Sequence, residues 1–337
     1  MPNFYNNHYY NNYSYNNYPY NNYFSGNHPS LHALPVGYCL NGFEIEKVIG
    51  SGGFGIVYRA WDHRLKRSIA IKEYMPSSLV IREQNLTLKL RRGDFRKRFQ
   101  MGLTNFMREA HFMSCFNHPC LPFFLHFWQQ NCTAYIATPF YRGKTLKALQ
   151  VTQPEIINQR WLSNILYPLL DALNTLHQAG YLHCDISLDN ILIQENGAPV
   201  LLDLGSTRKL NERLSDELEV TIRSGFTPIE QYTANEEGQL GPWTDIYAIG
   251  AALHTLITGT PPPVSIVRNL EDNYQPLAER KLAGYSLSFL HAIDRALAIQ
   301  PSERPMTTSE LTTLIKSSAV EPSLPLTLSD FGTLSEY

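Results

Sequence analysis

The run His183-Cys184-Asp185-Ile186-Ser187-Leu188-Asp189-Asn190-Ile191-Leu192 sets a carboxylate, Asp185, five positions ahead of an amide, Asn190. A second carboxylate, in Asp203-Leu204-Gly205, follows the apolar run Val200-Leu201-Leu202. A carboxylate in a loop can orient a hydroxyl and accept its proton. Amide and carboxylate oxygens are the ligands that magnesium takes. Phosphoryl transfer asks for a group to orient the attacking hydroxyl, oxygen ligands for magnesium and a clamp on the phosphates. This stretch has residues suited to the first two. A single loop Asp is usually an Asx-turn or a helix cap. That reading explains one of the three polar residues better than it explains all of them together.

The clamp has a candidate upstream. Gly50-Ser51-Gly52-Gly53-Phe54-Gly55-Ile56-Val57 fits GxGxxGxV. Glycines let the backbone approach phosphate oxygens and offer N–H groups with no Cβ in the way. The pattern alone is weak, because a plain hairpin turn and a dinucleotide fingerprint both use it. The fingerprint expects a helix next and an acidic residue about 20 positions on. Here Ile56–Ala60 reads as a strand, and the residue 17 positions past Gly55 is Lys72. A glycine-rich hairpin over a nucleotide fits better. Lys72 ends Ile69-Ala70-Ile71-Lys72, and a lone strand-end lysine is ordinarily solvated. Its partner is expected to be Glu109, which shares one helical stripe with Phe106, Ala110 and Met113. An acid on an inward-facing apolar stripe is costly unless it meets a cation.

The elements that must position these residues are legible around them. Phe43 and Ile45 leading into Val48-Ile49, then Ile56–Tyr58, then Ile69–Ile71 read as three strands with tight links. Beyond about Thr145 the pattern turns helical. Ile165, Leu166, Leu169, Leu173 and Leu176 fall at helical spacing, with Pro168 as a kink near the start and Gly180 as a stop. A second buried helix is expected from about Thr244 to Leu256. A strand-rich first part and a helix-rich second part imply an α+β, two-lobed protein.

In their order these segments resemble the landmarks of protein kinases, and most closely bacterial members of the eukaryotic-like serine/threonine kinase family. Phrases such as GFGIVYRAWD, AIKEYMP, PIEQY and GPWTDIYAIGA carry the likeness, which runs from about Asn41 to Lys316. The resemblance implies a two-lobed kinase-like fold, with a β-rich N-lobe over about 38–137 and an α-helical C-lobe over about 142–318. It implies ATP and magnesium, with manganese as the alternative. Asp185 would orient the acceptor hydroxyl, while Asn190 and Asp203 would bind the metal. Lys72, braced by Glu109, would hold the phosphates. Gly50, Ser51, Gly52, Gly53, Phe54 and Gly55 would cover the nucleotide, with the adenine among Val57, Ala70 and Leu192. The hinge would lie near Pro139-Phe140-Tyr141, with Thr138 as gatekeeper and Phe140 at the purine. Pro228-Ile229-Glu230 stands for Ala-Pro-Glu. By the same likeness Asp245 would hold the catalytic-loop backbone, and Arg304 would pair with Glu230.

Two departures bear on mechanism. Cys184 stands where many kinases have an arginine that binds an activation-loop phosphate. Ser187 stands where many Ser/Thr kinases have a lysine near the γ-phosphate, so that charge must come from elsewhere or be missing. They keep open a pseudokinase scaffold that binds nucleotide or partners without transfer. A small-molecule kinase is the other rival, and Glu230, Asp245 and Arg304 argue against it. His183 is expected to be structural, packing under the loop, and His177 and His254 to be core-edge histidines rather than ligands.

Composition bounds the rest. The chain has 337 residues and a formal net charge of −2, which argues for neither nucleic acid nor an anionic membrane as partner. Five cysteines without a CxxC pair suggest neither a disulfide framework nor a zinc site. The apolar stretch Ile246–Ile257 is too short for a membrane span, and the N-terminus lacks a Sec-type pattern. A cytoplasmic protein acting on Ser/Thr-bearing protein substrates is expected, with delivery into another cell left open. Residues 1–37 are expected to be a disordered tail. Its first 23 residues hold nine Asn and eight Tyr, a composition that builds no core but allows self-association by stacking. Residues 319–337 are expected to be a flexible tail. Between Tyr74 and Gly102 lie seven Lys/Arg and two Asp/Glu, a balance of +5. This is expected to be a solvated basic insert with one small strand over Leu86, Leu88 and Leu90, and a candidate docking surface.

Overall fold

A computed structural model describes residues 32–210, 221–232 and 240–316. The expected Asn/Tyr tail, up to residue 31, and the expected C-terminal tail lie outside the described residues. The chain divides into two compact units. One takes residues up to Phe99 together with Trp128–Tyr135, and the other takes Gln100–Phe127 and everything from Ile136 onward.

The first unit is built on strands β1 (Cys39–Leu40), β2 (Phe43–Ser51), β3 (Gly55–Asp62) and β4 (Arg67–Tyr74), paired antiparallel in sequence order. A hairpin of β5 (Val80–Arg82) and β6 (Leu88–Leu90) comes next. After helix α1 (Arg96–Cys115), β7 (His126–Gln130) and β8 (Thr133–Pro139) complete a six-stranded sheet of order β1-β2-β3-β4-β8-β7. The period-2 alternation of β3 and β4 is complete: Ile56, Tyr58, Ala60, Ile69, Ile71 and Glu73 are buried, and their neighbours Val57, Ala70 and Lys72 are half-buried on the other face. The expected strands are therefore present, each longer than its apolar nucleus.

The inward position of Glu73 governs the insert downstream of it. This carboxylate is fully buried and accepts from the Tyr58 and Tyr135 hydroxyls, each at 2.7 Å, and from Arg82 Nη2 at 2.6 Å. Arg82 is supplied by β5 and also donates to the carbonyls of His32 at 2.6 Å and Leu86 at 2.9 Å. The basic insert is thus not simply solvated. One of its arginines is the counter-charge of the sheet's core, and Arg91 holds the hairpin by donating to the Ser77 and Val80 carbonyls. Leu86 lies in the hairpin turn with φ +70°, not in the strand expected to include it. Packed structure also begins ahead of Tyr38. Leu34 is buried and its amide donates to the Tyr58 hydroxyl at 3.1 Å, which ties this segment to the same network.

The second unit is mainly helical. β9 (Gly143–Thr145) leads to α2 (Leu146–Thr152), capped by Thr145, and then to α3 (Gln159–Gln178), capped by Asn158. The apolar stripe of α3, Leu162 to Leu176, is buried, and Pro168 lies inside the helix rather than at its start. Gly180, at φ +80°, ends the turn after it. β10 (Tyr181–Leu182), β11 (Ile191–Gln194), β12 (Pro199–Leu201) and β13 (Arg208–Lys209) form two small sheets, β10-β13 and β12-β11-β9. Then come α4 (Ile229–Tyr232), α5 (Pro242–Thr258), α6 (Ser265–Leu270), α7 (Leu287–Ala296) and α8 (Thr308–Lys316). Every residue of α5 from Thr244 to Leu256 is buried, the run Ile246–Leu253 together with the polar Asp245, His254 and Thr255. No described helix is long and apolar enough to cross a membrane.

Candidate active site

In the first unit, Gly50 and Ser51 end β2, and Gly55 begins β3. The turn between them is closed by the Gly52 amide donating to the Gly55 carbonyl at 2.9 Å. A Cβ on Gly55 would run into the Glu73 carbonyl oxygen, so the close approach of β3 to β4 requires glycine there. Phe54, at the tip, is exposed and its carbonyl accepts from the Met75 amide. Val57 is the cross-strand partner of both Gly50 and Lys72. Val57, Ala70 and Lys72 therefore share the sheet face opposite the buried Tyr58–Glu73 network. The sequence alternation is the feature that brings these expected nucleotide-binding residues to one surface.

In the second unit, residues 183–190 lead into β11, and β12 leads out to Asp203. The β11–β12 hairpin holds the two polar segments together, and the Leu202 amide donates to the Asn190 carbonyl at 2.6 Å. Asn190 Nδ2 donates to the Asp185 carbonyl at 2.8 Å and to Asp185 Oδ2 at 3.0 Å. Asp185 and Asn190 are both buried. Burial pushes the Asp185 carboxyl above the usual range, against the opposing pull of the Arg223 guanidinium. Asp203 has φ +58°, and its Oδ1 accepts from the Gly205 amide at 3.2 Å. A Cβ on Gly205 would come within 3.1 Å of both Asp203 Oδ1 and Glu109 Oε2, so the two carboxylates flank that glycine. Leu192 is buried on β11, with Thr138 on β8 and Phe140 just beyond it, both half-buried.

The loop is braced from beneath. Asp245, fully buried on α5, accepts from the amides of His183 and Cys184, each at 2.9 Å, and from His177 Nε2 at 2.8 Å. Burial raises the Asp245 carboxyl, but these donors and their charges outweigh it and hold the group below the usual range. His177, half-buried at the end of α3, is thus also a partner of the loop's anchor. Its link to a residue 68 positions away leaves no mark in local periodicity. Cys184 has φ +62° and its carbonyl accepts from Gln231 Nε2 at 3.1 Å. A non-glycine residue in that region costs about 1–3 kcal/mol and persists when its surroundings over-determine it. Asp245 on one side and Gln231 on the other do so. Burial pushes the Cys184 thiol well up, so it packs and does not react. Burial also holds His183 below the usual imidazole range, and its Nδ1 accepts from the Asp185 amide at 3.2 Å. Below these, Arg304 reaches Glu230 with both Nη atoms, at 2.7 and 3.1 Å, as the motif order leads one to expect.

Residues 43–315, which hold all of these segments, match the protein kinase domain family. The chain belongs to the protein kinase family. Among similar kinases is serine/threonine-protein kinase PknB of Mycobacterium leprae, 26% identical over 303 residues, covering 86% of this chain and 45% of the relative. A probable serine/threonine-protein kinase PknB of Corynebacterium glutamicum is 29% identical over 225 residues, covering 65% of this chain and 32% of the relative. The chain spans less than half the length of these curated relatives. A solved structure described as "PpkA-294 apo form" is 55% identical with a TM-score of 0.77, covering 84% of this chain and 99% of that one. The kinase fold, with a β-sheet N-lobe and a helical C-lobe, follows from both comparisons.

One contact of the kinase loop was not foreseen from the motifs. Arg223, ahead of the Pro228-Ile229-Glu230 segment, donates through Nε to Asp185 Oδ1 and through Nη2 to Asp185 Oδ2, the latter at 2.9 Å. The only sequence signal for it was the missing charge at Ser187. Lys72 and Glu109 belong to the two separate units, and their pairing is a matter of proposal.

Proposed function

We propose that this kinase transfers the γ-phosphoryl group of ATP to Ser/Thr hydroxyls of protein substrates. The observation that carries the reading is the Asn190 amide bound to Asp185 within a loop that Asp245 anchors. Both N–H bonds of Asn190 are spent on Asp185. Its Oδ1 is therefore the atom it offers to a cation. Asn190 and Asp203 give an all-oxygen donor pair, and the described residues hold no cage of three or more His, Cys, Asp or Glu. This suits magnesium, which takes one or two protein oxygens and completes its shell with phosphates and water; manganese accepts the same donors. The ion would neutralise charge on the phosphates as the bond to the leaving group breaks.

Asp185 orients the acceptor hydroxyl and accepts its proton. Lys72, paired with Glu109, holds the α- and β-phosphates, and the Gly50–Gly55 backbone covers them. Val57, Ala70 and Leu192 take the adenine, with Thr138 and Phe140 at the hinge. Positioning and charge stabilisation provide the catalysis. The kinase domain spans 38–318, with its packed part reaching back to Leu34. The absence of the arginine at Cys184 fits a kinase that does not depend on an activation-loop phosphate held there. The Asn/Tyr tail remains a candidate for self-association.

In a radiolabel assay with the purified chain, MgATP and a generic Ser/Thr protein acceptor, Asp185→Ala abolishes transfer and leaves nucleotide binding largely intact. Full activity of that variant would overturn the assignment. Nucleotide binding without any transfer by the parent chain would identify a scaffold instead.

A further inference from the structure

Ser187 brings no charge to the place where many kinases carry a lysine. It is buried, and its Oγ has no hydrogen-bond partner among the described residues. The cation beside Asp185 comes instead from a segment 38 positions downstream. The Arg223 guanidinium meets both carboxylate oxygens of Asp185, in the two-point geometry that matches a planar fork to a carboxylate. The two side chains are 14% and 5% exposed, so little water screens the pair. The Arg223 backbone is also fixed: its amide donates to Thr227 Oγ1 at 2.7 Å, and its carbonyl accepts from the Phe226 and Thr227 amides, each at 3.0 Å.

We propose that Arg223 is the relocated cation of the transfer step: it fixes the Asp185 carboxylate and supplies, next to the transferred phosphoryl group, the positive charge that Ser187 cannot. The inference rests on Asp185 being the group that orients the acceptor hydroxyl. In this scheme Arg223 acts in two ways, as a positioning residue through Asp185 and directly as the charge beside the phosphoryl group.

The geometry leaves Asp185 able to work. A carboxylate has about four acceptor positions. Arg223 takes one on each oxygen and Asn190 takes the second on Oδ2, so Oδ1 keeps one direction for a hydroxyl.

The test moves the charge back. Arg223→Gln, Arg223→Lys, Ser187→Lys with Arg223→Gln, and Asp185→Ala are compared in the 337-residue chain for kcat, for KM with MgATP, and for ATP affinity by titration. Loss of one preorganised donor at a reacting centre costs on the order of 10²-fold in rate. Arg223→Gln is expected to lower kcat by about that factor while KM and ATP affinity stay within about threefold, as loss of a transition-state contact does. Arg223→Lys recovers part of the rate, and Ser187→Lys in the Arg223→Gln background recovers at least about tenfold of it. Unchanged or raised kcat in Arg223→Gln overturns the proposal, the rise marking an inhibitory clamp. So does a loss that Ser187→Lys does not relieve. Asp185→Ala separates the two claims: if it stays active, the kinase reading fails, whereas an inactive Asp185→Ala beside a fully active Arg223→Gln defeats only the role of Arg223.

Discussion

Arg304 is the largest side chain buried in full among the described residues. Taking a guanidinium out of water costs several kcal/mol unless every donor is met. Here Glu230 takes two bonds, the carbonyls of Ala298 and Ile299 take one each at 2.7 Å, and the Tyr247 ring lies 4.8 Å from Cζ. Thr244 Oγ1 donates to the same carboxylate at 3.0 Å. Removing the cation alone would strand Glu230 in the core. Arg304→Ala is therefore expected to cost about 3–5 kcal/mol of stability. In urea titrations, Arg304→Met with Glu230→Gln should be destabilised by less than the sum of its two single variants; strict additivity would count against the coupling. The places of Arg304 and Asp245 were legible because each sits inside a phrase with a fixed place in the chain order; Asp185, Asn190 and Asp203 were singled out on the same ground. Arg223 and His177 were not. Neither belongs to a phrase, and each takes its role from where the folded chain returns it, against Asp185 in one case and Asp245 in the other.

At the scale of elements, one inward acid in the first unit dictates the structure of the segment downstream. The alternation of β4 was readable and located Lys72 and Ala70 on a common face. The same alternation sends Glu73 into the core, where it must have a counter-charge. The hairpin β5–β6 supplies Arg82, whose side chain is 4% exposed. Net charge over the insert concealed this, because a sum does not say which arginine turns inward. Arg82→Met should destabilise the protein by about 3–5 kcal/mol, since Glu73 is left buried without its counter-charge. A double-mutant cycle with Glu73→Gln should return a coupling above about 1 kcal/mol; a coupling near zero would show that the tyrosine hydroxyls suffice. The docking-surface idea for this insert is better probed at Arg92 and Arg96. Arg91 holds the hairpin, so its charge reversal would mix folding with recognition.

For the molecule as a whole, acid stability follows from groups that no surface balance reveals. A net charge of −2 gives little self-repulsion near neutral pH. His254, on the fully buried stretch of α5, is pushed down to about 4 by burial first and then by Arg280, with Arg268 adding to it. The Thr260 carbonyl, 3.1 Å from Nδ1, and Asp294 pull the other way. A lowered folded value means that the unfolded chain takes up this proton first. The contribution of His254 is complete above about pH 6.5 and is lost as pH falls from there towards 4. At about 1.4 kcal/mol per pH unit, the loss is on the order of 3 kcal/mol. Buried His183 is shifted in the same direction and adds to this limb. Asp245, held below the usual carboxylate range, contributes stability that is present above the unfolded carboxylate value and is lost only at still lower pH. Stability should therefore fall with acid along two limbs of the pH dependence, a histidine limb and then a carboxylate limb. His254→Gln should lower the slope of unfolding free energy against pH between about 6.5 and 4.5, whatever it does to stability near neutral pH, because the variant has no proton to take up there. Equal slopes for the two proteins, measured by urea titration at several pH values, would remove His254 from the account and leave the acid response to His183 and the carboxylates.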